Sequence, residues 1–590
     1  MRRAVLAGEQ SVMQRTAVVA GLAMLAGWCA GCGDDGASGA GAAGSGGAHA
    51  GGAAGASGSG GLSGSGGAGG QASAPVCAPA PGGSSGPVQA PVLRQTLAGS
   101  WDENWLGSPA VADLDADGVN EIIATRHSVL YVWNADGSLK WKTAWPYGAS
   151  TSPEHGSSRM WASPVVGNFD ADPELEIAVG SDADSSSGMN VAVYDHEGEL
   201  LPGWPVHFGG ADEVRSITAG DLDNDGTAEI VVNKTNAGPA TAVFRLDGTM
   251  MSGWPQVQSS CDPAPPAEPC WDFGGYNQNI AVGDVDGDGF LDVVSSYDAI
   301  GFGVFDRNGE PFATAPGFTD PVITAVEAYH DLALSMQGWG DGDRSEFTYS
   351  PPVIADVDGD GKMEYVLVGD HEHTQSTANR GVTFWVLRAD LSRPTGWDPP
   401  KDTGMPLVDD DKGPNIVATQ PSPTVGDLDA APGLEVLAPA YDGYLYAFAA
   451  DGTQLWRYSF ASTASPYTGA SEALLADLNG DGSPEVVFAT YSSGEPGKPE
   501  TPAHLIILDS GGHELVKTPI DGRGSMAAPT IADLDGDGHL ELILSLKDAL
   551  GGGLGGVQIW DLPGSSDNCL AWLTGRGNLM RQGYVPLGGR

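Results

Sequence analysis

A nine-residue phrase that opens Asp-x-Asp-x-Asp-Gly, closes at its ninth position with Glu or Asp and runs directly into an apolar stretch recurs eight times along the chain. The copies read DLDADGVNE from Asp113, NFDADPELE from Asn168, DLDNDGTAE from Asp221, DVDGDGFLD from Asp284, DVDGDGKME from Asp356, DLDAAPGLE from Asp427, DLNGDGSPE from Asp477 and DLDGDGHLE from Asp533. Units repeated every 50 to 72 residues cannot each bury an apolar face alone, so neighbouring copies must stack on one another. The chain is therefore a repeat fold, and the shape of one unit decides which.

The first copy shows that shape most clearly. An apolar strand (SPAVADL) precedes the acidic loop, and EIIAT, VLYVW, the turn Asp136-Gly137 and SLKWKTAW follow it. Asp247-Gly248, Asn308-Gly309 and Asp451-Gly452 mark the same hairpin in later copies. Four short strands per unit make a propeller blade, whose radial repetition leaves few exposed edges. The expected fold class is an all-β propeller of four-stranded blades, eight by the count of the phrase, with seven as the alternative if one copy is diverted. Gly-Trp-Pro ends the fourth strand at Gly203 to Pro205 and Gly253 to Pro255, and a Trp recurring there reads as blade-to-blade packing. The last copy supplies PTIADL, LELILSL and GVQIWDL and needs a fourth strand, either CLAWLTG or the N-terminal PVLRQTL. Either choice closes the ring near the termini.

In the loop, side chains at positions 1, 3, 5 and 9 and the carbonyl at position 7 can converge on one hard cation, while Gly at position 6 permits the tight bend. An all-oxygen, irregular shell suits calcium better than magnesium, which keeps waters and an octahedral shell. The phrase resembles the FG-GAP or VCBS repeat of integrin α-subunit propellers and bacterial surface proteins, over about residues 90 to 585. That resemblance implies structural Ca2+ at seven or eight sites. The first loop would use Asp113, Asp115, Asp117, Glu121 and the carbonyl of Val119, and the second Asn168, Asp170, Asp172, Glu176 and the carbonyl of Glu174. The third would use Asp221, Asp223, Asp225, Thr227 and Glu229, the fourth Asp284, Asp286, Asp288, Phe290 and Asp292, and the fifth Asp356, Asp358, Asp360, Lys362 and Glu364. The seventh would use Asp477, Asn479, Asp481, Ser483 and Glu485, and the eighth Asp533, Asp535, Asp537, His539 and Glu541. The sixth keeps Asp427, Asp429 and Glu435 but has Ala431 at position 5, so it is expected weak or empty.

A formal charge of -49 with no opposing basic patch leaves nothing to drive phosphate binding, which excludes nucleic acid as a partner class. Residues 1–32 read as a secretion signal, with Met13 as an alternative start and Ala30-Gly31-Cys32 resembling a lipobox that would lipidate Cys32. Residues 33–75, nearly all Gly, Ala and Ser, are expected to be a flexible tether, and 76–590 the propeller. The expected location is extracytoplasmic, lipid-anchored to the envelope or else secreted, with the membrane touched only through that lipid and the chain monomeric. In an oxidising compartment the remaining cysteines suggest two disulfides, Cys261 with Cys270 and Cys77 with Cys569, the second drawing the two ends of the ring together.

In a four-stranded blade the acidic loops and the Asp-Gly turns share one face. The long insertions, inter-blade links around 148 to 162, 257 to 278, 311 to 350 and 397 to 420 and second-to-third loops around 181 to 189, 371 to 381 and 491 to 503, fall on the other. Function concentrates on variable loops over a rigid scaffold. That face offers Trp105, Arg159, Trp161, Arg215, Tyr276, Asn277, Trp339, Tyr349, Tyr467 and Arg523, a mixture suited to a protein or carbohydrate ligand. His371-Glu-His373 lacks a third metal ligand, and GGGLGG at 551 to 556 lacks the helix and Lys that phosphate binding needs. No catalytic constellation is visible. The favoured reading is a non-catalytic binding or adhesion module, and the alternative is an extracellular polysaccharide lyase of the rhamnogalacturonan-lyase kind.

Overall fold

The computed structural model describes residues 87–587 except 98–103, 105, 146–157, 171, 184–187, 236–238, 257–273, 298–300, 313–324, 327–343, 348, 373–380, 405, 406, 408–421, 430, 493–500, 548–555, 567 and 568. The expectations for the signal, Cys32, the tether, Cys77, Cys261, Cys270, Trp105, Trp339 and His373 fall outside the described residues.

The described residues form eight antiparallel sheets and no helix, arranged as a β-propeller of eight blades. Blade 1 is Ala110–Ala112, Glu121–Arg126, Val129–Asn134 and Leu139–Ala144. Blade 2 has Val165–Gly167, Glu176–Gly180 and Val191–Tyr194, and blade 3 has Val214–Gly220, Glu229–Lys234 and Thr241–Phe244. In both, the fourth strand is reduced to isolated bridges, Tyr194 to Leu200 and Val191 to Val206, then Phe244 to Met250 and Thr241 to Gln256. Blade 4 is Ile280–Gly283, Asp292–Ser296, Gly301–Phe305 and Ala325–Val326. Blade 5 is Val353–Ala355, Glu364–Glu372, Val382–Arg388 and Lys401–Asp402, with Arg344–Glu346 also on its second strand. Blade 6 is Thr424–Gly426, Glu435–Pro439, Tyr444–Phe448 and Gln454–Ser459. Blade 7 is Leu474–Ala476, Glu485–Ser492, Ala503–Leu508 and Glu514–Ile520, extended by Thr468–Ala470.

Blade 8 settles the ring closure. Its strands Thr530–Ala532, Leu540–Leu546 and Gly556–Leu562 take their fourth from the N-terminal Val92–Leu97, in the register Val92 opposite Asp561 and Leu97 opposite Val557. The second and third strands of a blade lie between two neighbouring blades, so both of their faces are covered. They read as continuous apolar runs rather than alternating ones, as in the fully buried Leu540–Leu546. Fourth strands sit at the rim and alternate, as in Gln454–Ser459.

Five tryptophans tie consecutive blades. The indole N–H of Trp141 donates to His196 O, Trp204 to Leu246 O, Trp254 to Arg307 O, Trp397 to Ala450 O and Trp456 to Ser510 O, at 2.6 to 3.2 Å. Each reaches the third-to-fourth hairpin of the next blade, which is the packing role expected of the Gly-Trp-Pro signature. The glycine before the Trp is required sterically: a Cβ on Gly253 would stand 1.7 Å from Asn308 O, and one on Gly396 1.8 Å from Asp451 O.

CLAWLTG, the other candidate for the last strand, belongs to a segment that fills the channel. Inner strands of a ring present unpaired N–H and C=O groups toward the axis, and buried groups of that kind require partners. From Cys569 to Val585 the chain supplies them. Trp572 and Leu475 exchange both backbone hydrogen bonds, Leu573 O accepts from Ile531, Leu579 O from Val166, Met580 O from Ala219, Gln582 O from Val282 and Gly583 O from Ile354. Arg581 adds blade 1 through the carbonyls of Ser108 and Pro109. Cys569 is buried and disulfide-bonded.

Candidate functional site

The acidic loops join the first strand to the second in every blade, and their geometry repeats. Each closing acid is buried, and one of its oxygens accepts the backbone N–H of the phrase's second residue: Leu114, Phe169, Leu222, Val285, Val357, Leu428, Leu478 and Leu534, at 2.6 to 3.0 Å. The second oxygen of Glu364 is left without a partner, while those of Glu121, Glu229, Glu485 and Glu541 accept from Lys140, Arg245, Asn479 and Arg94. The first residue accepts the N–H of residues 5 and 6, as Asp113 does from Asp117 and Gly118, and Asp221 from Asp225 and Gly226. Gly118 and Gly226 take φ of +88° and +92°, the left-handed bend that favours glycine. The fifth residue accepts the N–H of the seventh, which is why Val119, Glu174, Thr227, Phe290, Lys362, Ser483 and His539 share a position without sharing chemistry. Neighbouring loops touch: Leu175 N donates to Leu114 O, Ala228 N to Phe169 O, Leu434 N to Val357 O and Asn224 Nδ2 to Gly289 O.

These loops concentrate negative charge. Carboxylate oxygens of Asp113, Asp115 and Glu121 lie within 4.8 Å of one another, as do those of Asp170, Asp172 and Glu176, of Asp221, Asp223 and Asp225, of Asp284, Asp286 and Asp292, and of Asp356, Asp358 and Asp360. Burial, with the neighbouring carboxylates adding to it, pushes the acids of Glu176, Glu229, Glu435 and Glu541 up to about 7, and those of Asp292, Glu364 and Glu485 up to about 8. A divalent cation inverts that preference by favouring the ionised form. Asp115 Oδ1, Asp223 Oδ1, Asp356 Oδ1 and Glu364 Oε1 are buried without a hydrogen-bond partner. Orphaned anionic oxygens in an all-oxygen donor set are what a hard cation satisfies, so these residues fit calcium. In the sixth copy Asp429 accepts from Ala431 N, and Gly433, one place later than the usual glycine, makes the bend at φ +102°.

At the opposite end of the inner strands the blades differ from one another. Glu213, just before Val214–Gly220, bridges to Asp182, and its Oε2 stands 2.8 Å from Arg215 Nε. Burial pushes the Glu213 carboxyl up against the pull of Arg215, with Asp182 adding to the rise and Arg159 opposing it. The Arg159 guanidinium lies 5.9 Å from the Trp161 ring, within cation–π range. Tyr276 and Tyr349 meet edge to face at 6.2 Å, both act electrostatically on Arg215, and Asn277 donates to Tyr349 O and Ser422 Oγ. Trp161 also packs with Leu106, Tyr491 and Met526, which come from the blade 1, 7 and 8 side of the mouth. Six of the expected ligand-face residues, Arg159, Trp161, Arg215, Tyr276, Asn277 and Tyr349, are thus brought together. Tyr467 and Arg523 sit with blade 7, Tyr467 before Thr468–Ala470 and Arg523 buried with its carbonyl accepting from Ser492 N.

A family model described as the FG-GAP-like repeat matches residues 168–232 and 477–544, which span the second, third, seventh and eighth phrases. The chain is an eight-bladed β-propeller that carries FG-GAP-like repeats. No curated protein matches it. Among solved structures it is similar to a Bacillus licheniformis rhamnogalacturonan lyase at 17% identity, with 84% of this chain and 79% of that one covered and a TM-score of 0.41. It is also similar to the V. cholerae biofilm matrix protein Bap1 at 14% identity, covering 79% and 78% with a TM-score of 0.34. For BamB from Moraxella catarrhalis the figures are 12%, 80%, 100% and 0.39.

Two sets of residues in this propeller were missed by sequence reasoning. Basic side chains reach into five loops: Lys140 to Asp115 and Glu121, Arg245 to Asp223 and Glu229, Arg307 to Asp288, Arg388 to Asp358, and Arg94 to Asp535, Glu541 and Asp561. Cross-strand register is the signal that could have found one directly, since Arg388 sits opposite Glu364. The second set is Glu472, Arg576 and Arg581 in the channel, all buried. No periodicity announces them, because the segment that carries the arginines occurs once.

Proposed function

We propose that this chain is a calcium-stabilised FG-GAP propeller, lipid-anchored to the cell envelope through Cys32 or secreted, that acts as a non-catalytic binding or adhesion module for a protein or carbohydrate ligand. The observation that carries this reading is the contrast in the site itself. The acidic loops share one plan, a buried closing acid bonded to the second residue, and are closed by their own hydrogen bonds, as a scaffold requires. The opposite mouth gathers Arg159, Trp161, Arg215, Tyr276, Asn277 and Tyr349 from different blades into one aromatic and hydrogen-bonding surface. Aromatic faces with polar edges suit sugar rings and protein side chains alike. Bound calcium would contribute folding free energy by cancelling the repulsion within each loop.

The test is a glycan array and a panel of envelope polysaccharides probed with the calcium-loaded chain and with an Arg159→Ala, Tyr276→Ala variant. Binding by the parent and its loss in a variant of unchanged thermal midpoint supports the reading. Equal binding by both places the ligand elsewhere. The lyase alternative draws on the same mouth, because Glu213 is a buried carboxyl of raised proton affinity beside Arg215, as a general base with a cationic neighbour would be. New unsaturated-uronate absorbance from pectic polysaccharides, lost in Glu213→Gln, would replace the binding reading with that one.

A further inference from the structure

The channel segment buries two arginines, and among the described residues the inner wall offers them one acid. Arg576 and Arg581 are each 1% exposed, and Glu472, just before Leu474–Ala476, is 7% exposed. Glu472 Oε1 accepts the Trp572 indole N–H and the Arg576 backbone N–H, both at 2.7 Å. It is the charged group that acts on each arginine, and they are the charged groups that act on it. Burial lowers Arg576 to about 10 and Arg581 to about 9, so both stay protonated at neutral pH. With Glu472 ionised the trio carries one net positive charge; with Glu472 protonated it carries two. An unpaired buried charge is costly enough that proteins seldom leave it uncompensated.

The two arginines differ in how far their donors are satisfied. Arg581 spends Nε, Nη1 and Nη2 on Pro164 O, Thr574 Oγ1, Gly575 O, Ser108 O and Pro109 O. Arg576 uses only Nη2, on the carbonyls of Ile280 and Pro352. Its Nε and Nη1 are buried with no hydrogen-bond partner. Gln278, two residues before Ile280 at the same blade edge, likewise has a buried and unpartnered Nε2. The excess at this point of the channel is therefore positive in charge and made of donors. Neutral water would hydrogen-bond the donors and leave the charge.

We propose that the propeller channel holds a small monovalent anion, with chloride as the natural occupant, against the Arg576 guanidinium. The site is independent of the acidic loops and of any ligand at the mouth. Chloride cancels the excess charge and accepts the unused N–H groups, so it locks the C-terminal segment to the inner strands of blades 4 and 5.

The full chain, saturated with calcium, is unfolded thermally in sodium chloride and in sodium gluconate at equal ionic strength, and crystals are soaked in bromide. We expect a midpoint about 2 °C higher once chloride exceeds its dissociation constant a hundredfold, and a bromide anomalous peak beside Arg576. Arg576→Met should abolish the halide response while retaining the calcium response. Glu472→Gln keeps an acceptor for Trp572 and raises the buried excess to two charges, so it should steepen the halide response, which keeps the test decisive if Arg576→Met does not fold. Equal midpoints in the two salts with no bromide at Arg576 would overturn the proposal. So would a halide response that survives Arg576→Met.

Discussion

On the acid-loop face all eight blades present one plan, a buried closing acid bonded to the second residue, and five pairs of neighbouring loops share hydrogen bonds. At the other mouth the described residues of three blades differ: Arg159 and Trp161 precede blade 2, Glu213 and Arg215 stand at the start of blade 3, and Tyr276 and Asn277 precede blade 4. A feature that every blade must have is one the ring needs to stand, because blade-to-blade packing imposes the same demand eight times. A feature that only one blade has is free of that demand. Under the proposed function, the contrast gives shape to the repeated face and specificity to the unrepeated mouth, while the C-terminal segment ties the inner strands together in the channel.

The largest effect should come from cutting that tie. Deleting residues 569–590 removes backbone partners from the inner strands of blades 2, 3, 4, 5, 7 and 8, and each buried unsatisfied group costs about 1–3 kcal/mol. The expected result is loss of soluble, cooperatively unfolding protein, measured by yield and calorimetry. A folded truncation would show that the blades alone hold the ring. One step smaller, Glu364→Gln keeps the volume of a closing acid but weakens a loop in which two oxygens are orphaned. Stability in calcium should fall by about 1–3 kcal/mol in denaturant titration, with little change in chelator.

Proton linkage gives a signature of opposite sign in the two metal states. Seven of the closing acids, all but Glu121, are raised from the ordinary carboxylate value to about 7 or 8, and Glu121 is raised too. In chelator, the stability they contribute is full below the unfolded pKa and is lost as pH rises through the folded values, so the metal-free chain should be more stable at pH 5.5 than at pH 8. With calcium the order reverses, because the ion must displace those protons. Paired melts at the two pH values check both signs, and the same order in both states would separate the acids from the metal. A smaller effect is expected for Trp254→Phe, which removes one indole N–H from Arg307 O at a blade junction and should cost about 1 kcal/mol by denaturant titration. Smallest of all, Ala431→Asp should add about one bound calcium per chain by restoring the missing position in the sixth loop, read by equilibrium dialysis.

The regular half of the molecule was legible in the sequence because its constraints are local and recur. Gly118 bends the first loop and Gly226 the third, Trp204 and Trp254 reach the same hairpin, and each copy therefore corroborates the others. The closing of the ring was narrowed to two segments and no further. Both PVLRQTL and CLAWLTG have strand character, and only the pairing of Val92–Leu97 with Gly556–Leu562 distinguishes them. CLAWLTG pairs too, but with the channel edge of blade 7. The Glu472, Arg576 and Arg581 trio was invisible because its members meet across more than one hundred residues of chain, as in the bond from Arg576 N to Glu472. At the mouth, residue types point to the face, but only the fold shows that Tyr276 meets Tyr349 while Arg523 bridges Ser492 of blade 7 and Lys547 beside blade 8.

The proposed division between a metal-held scaffold face and a recognition mouth is tested most directly by the thermal midpoint of the full chain in excess calcium and in excess chelator at pH 7.5. If the eight acidic loops are held together by calcium, chelation should lower the midpoint by about 10 °C or more, and re-added calcium should restore it. A midpoint unchanged by chelator would mean that the loops stand on their own hydrogen bonds and basic neighbours, and the account of the repeated face would be wrong.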